Sequence, residues 1–249
     1  MYVVTSAAPS HAGPVSDLVV MAQAAGWRVY VISTPLGVRF LDPSQIQELT
    51  GEPISSDFRM PDSDQARDMA LRAAETLRTR SHKLGPSSLS VWGGLQLVAA
   101  TAASHIFDRA TSDGCLAHAQ RAANHLGHER NDFWNAFGTT NIQIHRLSAA
   151  VAVGDARPAL EIGESLDVSR MPDSLVGRRT QVHLDLAHAY TVQRKDAAAV
   201  HMLLHAERQS PEPVRYDQRT HDVLTQLIKR EHRPSTPQLR GLAQRAGVV

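Results

Sequence analysis

Gln181-Val182-His183-Leu184-Asp185-Leu186-Ala187-His188-Ala189-Tyr190 runs to a polar break at Lys195-Asp196, and Ala197-Ala198-Ala199-Val200-His201 follows. Leu175, Val182, Leu186 and Ala189 recur at helical spacing, so the first run is an amphipathic helix with one apolar stripe. The alanine-rich second run opens another helix straight after the break. The same arrangement lies upstream, where Gly154-Asp155 separates a helix striped by Phe137, Ile144, Leu147 and Val151 from one that carries Pro158 in its first turn. Ala119, Ala159 and Ala199 are spaced by 40, and Leu126, Leu166 and Ala206 follow at the same offset. Paired antiparallel helices recurring at this period describe a tetratricopeptide-like α-solenoid. Extended along the chain, the pattern predicts helices over about 64–83, 88–107, 112–126, 133–153, 156–166, 173–193, 196–208, 215–231 and 236–246.

The first 62 residues have another texture. They hold 6 of the 13 prolines, and their 3 Lys/Arg against 6 Asp/Glu give a balance of −3, whereas residues 63–249 balance at +4. Tyr2-Val3-Val4 is a short β-rich run. Val15 to Ala25 is a helix that Gly26 ends, and Trp27 to Ile32 is a second strand. Asp42-Pro43-Ser44 starts a further helix, with proline where its missing N–H is harmless, and Thr50-Gly51 stops it. Two strands joined by one helix make a parallel βαβ unit. The expected fold is therefore mainly α, a short βαβ (flavoprotein/Rossmann-like) segment at 1–62, a connecting helix at 63–86 and the helical repeats at 87–249.

Composition bounds the function. The formal net charge over 249 residues is +1, which argues against a non-specific nucleic-acid or membrane-surface binder. One cysteine, Cys115, excludes an intramolecular disulfide and a multi-thiolate zinc site. Apolar runs fall short of the roughly 20 residues that span a bilayer, and the start lacks the features of a secretory signal, so a soluble cytoplasmic protein is expected.

Two resemblances follow from particular motifs. Ser90-Val91-Trp92-Gly93-Gly94-Leu95, Arg130-Asn131-Asp132-Phe133-Trp134-Asn135-Ala136-Phe137-Gly138-Thr139-Thr140-Asn141, His145 and Ala152-Val153-Gly154-Asp155 resemble the C-terminal helical domain of actinobacterial Xre-type helix-turn-helix regulators. Arg233-Pro234-Ser235 through Leu242-Ala243 fits the same domain. That resemblance covers about two-thirds of the chain and implies a sensing or interaction module. The family's DNA-reading head has no counterpart here, because one helix at 64–83 cannot make a helix-turn-helix. Val3-Val4-Thr5-Ser6-Ala7-Ala8-Pro9, Ala24 to Pro35 and Leu49 to Pro53 resemble the opening of the FMN-binding flavoproteins that include phosphopantothenoylcysteine decarboxylase. This second resemblance implies an FMN phosphate near Thr5, Ser6, Ser33 and Thr34. The family's later flavin-contacting strands are replaced after Asp62 by a helix, Ser63-Asp64-Gln65-Ala66-Arg67-Asp68, so half of a flavin pocket is not encoded. Together the two pieces read as a fusion.

Thirteen histidines invite a metal reading. His201 and His205 have chelating i,i+4 spacing, but Met202-Leu203-Leu204 between them offers no glutamate base, and solvated histidines are expected. Cys115 with His118 lacks an orienting group, and a buried structural thiol is expected. Arg178-Arg179, Lys229-Arg230 and Arg233 are expected on solvated helix faces. No catalytic residue and no metal site is predicted.

The informative pattern is polar. Thr101/His105, Asn141/His145, Gln181/Asp185 and His221/Thr225 are i,i+4 pairs, successive pairs 40 residues apart. They share one register in the first helix of each repeat, the helix that lines the concave groove of a tetratricopeptide solenoid. With Trp92 and Trp134 beside them, Thr101, His105, Asn141, His145, Gln181 and Asp185 form the predicted groove. Its expected occupant is a peptide, a protein or a small signal molecule, on a protein that also has the option of forming homo-oligomers. The alternatives are an oligomeric FMN-dependent flavoprotein and a fused gene product without function.

Overall fold

The computed structural model describes residues 2–5, 12–33, 38, 41–55, 62–80, 84–132, 135–167, 175–232 and 234–249. It is mainly helical and divides into two compact units, Met1–Met60 and Pro61–Val249.

In the first unit, β1 (Tyr2–Thr5) pairs in parallel with β2 (Tyr30–Ser33), with Tyr2 opposite Tyr30 and Thr5 opposite Ser33. Between them runs α1 (Ala12–Ala24). Its chain turns at Gly26, whose φ of 82° is the left-handed value that glycine adopts freely. The second strand begins at Tyr30, three residues later than Trp27, because the tryptophan lies exposed beyond the sheet. Asp42 caps α2 (Pro43–Thr50) by accepting from the N–H groups of Ser44 and Gln45, and Gly51 closes it in the left-handed conformation. Ser55 continues the sheet on the far side of β2, where its carbonyl accepts from Ser33 N–H at 3.0 Å. Val15, Val19, Ala22, Val29, Val31 and Ile46 form the small core.

The second unit carries ten helices among its described residues. They are α3 (Ser63–Arg80), α4 (Pro86–His105), α5 (Arg109–Leu126), α6 (Thr139–Ala152), α7 (Ala156–Ser165), α8 (Val176–Val192), α9 (Asp196–Gln209), α10 (Pro211–Tyr216), α11 (Gln218–Lys229) and α12 (Leu239–Arg245). Three hairpins, α4/α5, α6/α7 and α8/α9, close on one turn. The N–H groups of Asp108, Asp155 and Lys195 reach back five residues to the carbonyls of Ala103, Ala150 and Tyr190, at 2.9, 2.8 and 2.9 Å. The preceding residues, Phe107, Gly154 and Arg194, have φ of 60°, 82° and 57°. This is the left-handed exit that satisfies the last carbonyls of a helix. Small residues let the helices approach: Ala119, Ala159 and Ala199 are each 0% exposed. Alternate helices also meet, α4 with α6, α6 with α8, and α8 with α11, which gives one continuous wall.

Several boundaries differ from the sequence expectation. The helix expected from Phe133 begins at Thr139, and the described residues of the preceding loop, Arg130, Asp132, Asn135 and Phe137, dock on α4. Phe137 is 0% exposed and lies over Gly93, where a Cβ would meet the ring at 2.1 Å. Asn135 Nδ2 donates to the Ser90 carbonyl at 2.9 Å, and Ser87 Oγ donates to Asp132, which also holds Arg130. Glu129 then caps α6, accepting from Thr140 N–H at 2.8 Å. The helix expected over 215–231 is two helices. Pro211 opens α10, and Asp217 ends it and caps α11 by accepting from Thr220 N–H at 2.8 Å.

Candidate functional site

The wall of α4, α6, α8 and α11 bounds a polar cavity of about 410 Å³. Thr101 and His105 enter it from α4, His145 and Ser148 from α6, and Arg178, Gln181, Asp185 and His188 from α8. The α10–α11 segment closes the side with Asp217, Arg219 and Thr220, and Ile144, Leu184, Leu203 and Val223 form apolar patches. The size lies in the range of small-ligand pockets, roughly 300–1,000 Å³.

Hydrogen bonds tie successive helices at the predicted register. Thr101 Oγ1 lies 2.8 Å from His145 Nδ1. Because the Thr101 hydroxyl already donates to the Leu97 carbonyl, His145 Nδ1 is the donor and Nε2 keeps its lone pair. That lone pair faces Arg178 Nη1 at 3.5 Å. Ser148 Oγ donates to Asp185 Oδ2, and Gln181 Nε2 donates to Asp185 Oδ1 at 3.0 Å. Asp185 is 1% exposed.

Burial sets the charge states. It pushes the Asp185 carboxyl up to about 6, against the two hydrogen bonds that favour the anion. Burial, then Arg178, drives His145 down to about 3. His105 and His188 are lowered by burial and then by Arg219. Arg178 is lowered by burial. Among the described residues neither Arg178 nor Arg219 lies within 4.0 Å of a carboxylate oxygen. The cavity thus combines two arginines and two aspartates with neutral imidazoles. Ser148 gives its hydrogen bond to Asp185 rather than to a histidine.

Five predicted groove residues, Thr101, His105, His145, Gln181 and Asp185, meet in this one cavity. Trp92 faces a different hollow, with His118 and Cys115 between α3, α4 and α5, its ring 5.9 Å from that of His118. Asn141 is 1% exposed in the first turn of α6 and its Oδ1 finds no partner among the described residues. Asn141 does not line the cavity, although His145, one turn along the same helix, does. Trp134 lies outside the described residues, as do Ser6 and Thr34; Thr5 ends β1. Ser33, the last residue of β2, is 2% exposed. Ser148, Arg178, His188, Asp217 and Arg219 were not singled out by sequence as cavity residues. Arg178 sits at i,i+3 from Gln181 and i,i+7 from Asp185, and that shared face was the available signal.

Elsewhere, His201 and His205 approach to 3.1 Å between Nε2 atoms, and His183 stacks on His205. Among the described residues no group of three or more His, Cys, Asp or Glu is arranged to hold a metal ion, and no helix is long and apolar enough to cross a membrane. Burial raises the Cys115 thiol, which suits a packing role. Comparison of the chain with protein-family models, characterised proteins and solved structures finds no match.

Proposed function

We propose that residues 87–249 form a tetratricopeptide-like repeat module that binds a small polar ligand or peptide in the α4–α6–α8–α11 cavity, as a cytoplasmic sensing or interaction domain without catalysis. The recurring hairpin turn, the alternate-helix wall and the 40-residue polar register support the solenoid reading. Kinship with Xre-type regulators, without direct DNA reading, rests on the motifs around Trp92 and Phe137. One observation carries the binding role. Asp185 is held as a buried anion and Arg178 as a half-buried cation with no carboxylate partner among the described residues, both on an open cavity wall. Uncompensated charge in a poorly solvated place destabilises a fold, so its presence at a cavity wall is the mark of a ligand that completes the pairing.

A thermal-shift screen of metabolites and short peptides tests this. At least one compound raises the melting temperature of the wild type and does so less in Arg178→Gln. Hits whose shift is the same in both proteins, or a broad screen without any cavity-dependent hit, refute the role.

A further inference from the structure

The geometry points to a zwitterion as the ligand class: a molecule with an anionic group at Arg178 and an ammonium group at Asp185, held about one helix-face length apart. This rests on the cavity being a ligand site and specifies what fits it.

Arg178, Gln181, Asp185 and His188 follow one another at i, i+3, i+7 and i+10 on α8, so they share one face, and all line the cavity. At about 1.5 Å rise per residue, the Cα atoms of Arg178 and Asp185 are roughly 10 Å apart along the axis. Arg178 spends one donor on His145 Nε2 and keeps the rest of its guanidinium fork. A fork with free N–H groups matches a carboxylate in two-pronged geometry. Asp185 accepts from Ser148 and Gln181, which fill about half of the roughly four acceptor directions of a carboxylate. The side chain is otherwise enclosed and meets the cavity only at its lining, where the ammonium would approach. Gln181 stands between the two charges with an amide that suits a peptide group.

The facing wall sharpens the class. Arg219 and Asp217 add one charge of each sign, so the lining carries two positive and two negative side chains. His105, His145 and His188 are all lowered by burial and add no charge near neutral pH. A simple anion would satisfy Arg178 and leave Asp185 with only its neutral donors, Ser148 and Gln181, and a polyamine would leave Arg178 without an anion. A molecule with both ends charged satisfies both. An extended chain covers about 3.3–3.6 Å per residue, so two to four residues with free termini bridge the distance. A long ω-amino acid presents the same ends without the amides.

The test uses the full chain in equilibrium dialysis, with retained compounds read by mass spectrometry. The probes are four mixed-sequence tripeptide pools, with both ends free, N-acetylated, C-amidated, or capped at both ends, and a set of ω-aminoalkanoates. Free-ended peptides or ω-amino acids are retained, and the arm retained identifies the source. Capping either end lowers retention at least tenfold. Arg178→Gln removes the preference for the free carboxylate over the amide, and Asp185→Asn removes the preference for the free amine. Circular dichroism confirms that each variant is folded. Equal retention of capped and free pools, or retention of neither zwitterion set, overturns the assignment. If neither set is retained while another compound still stabilises the wild type and not Arg178→Gln, only the zwitterion class falls. If no compound of any kind binds, the binding role falls with it.

Discussion

Replacing Asp185 by asparagine should stabilise the protein near neutral pH. The carboxyl ordinarily titrates at 3.8 and is pushed up to about 6 in the fold, chiefly by burial. A shift of about 2 units corresponds to roughly 3 kcal/mol that the buried anion costs at pH 7. The amide removes the charge and keeps the shape. Its oxygen can still accept from Gln181, and Ser148 can turn to accept from its NH₂, so the local bonds survive. The sign follows from proton binding. Between pH 3.8 and about 6 the folded chain holds a proton that the unfolded chain has released, so this group's contribution falls as pH rises through that window. At pH 4 the variant and the wild type should therefore melt together, and by pH 7 the variant should melt higher. For a domain of this size about 3 kcal/mol is worth roughly 6–12 °C. The groups facing Asp185 are His145 and Ser148 from α6, Arg178, Gln181 and His188 on its own helix, and Asp217 and Arg219 from the α10–α11 side. They are present in both proteins, so the difference between the two melting curves isolates Asp185. Circular dichroism melts from pH 4 to 8 measure it. A difference that does not change with pH, or a variant that melts lower at pH 7, would refute the view that this carboxylate is a stability cost borne for a ligand.

The histidines act against Asp185 over the same range. Asp185→Asn, which lacks the opposing carboxyl, should lose stability as pH falls below 6.5, because His145 is lowered to about 3 and His105, His183, His188 and His205 are lowered as well, so the unfolded chain takes up protons that the folded chain refuses; urea midpoints of that variant at pH 7 and 5 check it. Gly93→Ala should cost about 1–3 kcal/mol, since the new Cβ meets the enclosed Phe137 ring, and a lowered urea midpoint reports it. Arg194→Gly should add about 1 kcal/mol by relieving the left-handed backbone at φ 57°, readable as a higher melting temperature. With Ser33 enclosed, titration of FMN with the protein should leave flavin fluorescence unquenched; saturable quenching would favour the flavin alternative.

Local chemistry made much of this readable. Asp42, Pro43 and Gly51 act as caps where their side chains and backbone freedom require it, and Gly154 takes the left-handed turn that its position needs. The polar register identified Thr101, His105, His145, Gln181 and Asp185 because a 40-residue spacing fixes which face of each repeat a residue occupies. Arg178 was read as solvated because an arginine beside an arginine gives no local sign of burial. Only the packing of α8 between α6 and α11 encloses it. Asn141 shares α6 with His145 at i,i+4, but it is enclosed at the start of the helix and does not line the cavity. The contacts of Asn135 and Phe137 with Ser90 and Gly93 are long-range, and they delay the helix to Thr139. The same contacts explain why the most recognisable motifs lie away from the cavity. Ser90 and Gly93 interlock with Asn135 and Phe137, so these four residues serve packing.

The helix α4 shows how the two roles are kept apart. Its first two turns carry Ser87, Ser90, Gly93 and Gly94, which hold the docked loop through Asp132, Asn135 and Phe137. Its last two turns carry Thr101 and His105, which reach the cavity. The buried face in between, Leu97, Ala99, Ala100 and Ala103, is apolar and separates the two sets of polar contacts by about two turns. A change in the first half should therefore lower stability and leave ligand selectivity intact, whereas Thr101→Val should alter ligand selectivity besides costing the stability of an unpaired buried N–H. It removes the acceptor of His145 Nδ1–H while preserving volume, so His145 loses its fixed orientation against Arg178. Comparing Gly93→Ala with Thr101→Val in one thermal-shift series would show whether one helix serves both ends independently. Equal loss of ligand response in both variants would mean that the docked loop is part of the site after all.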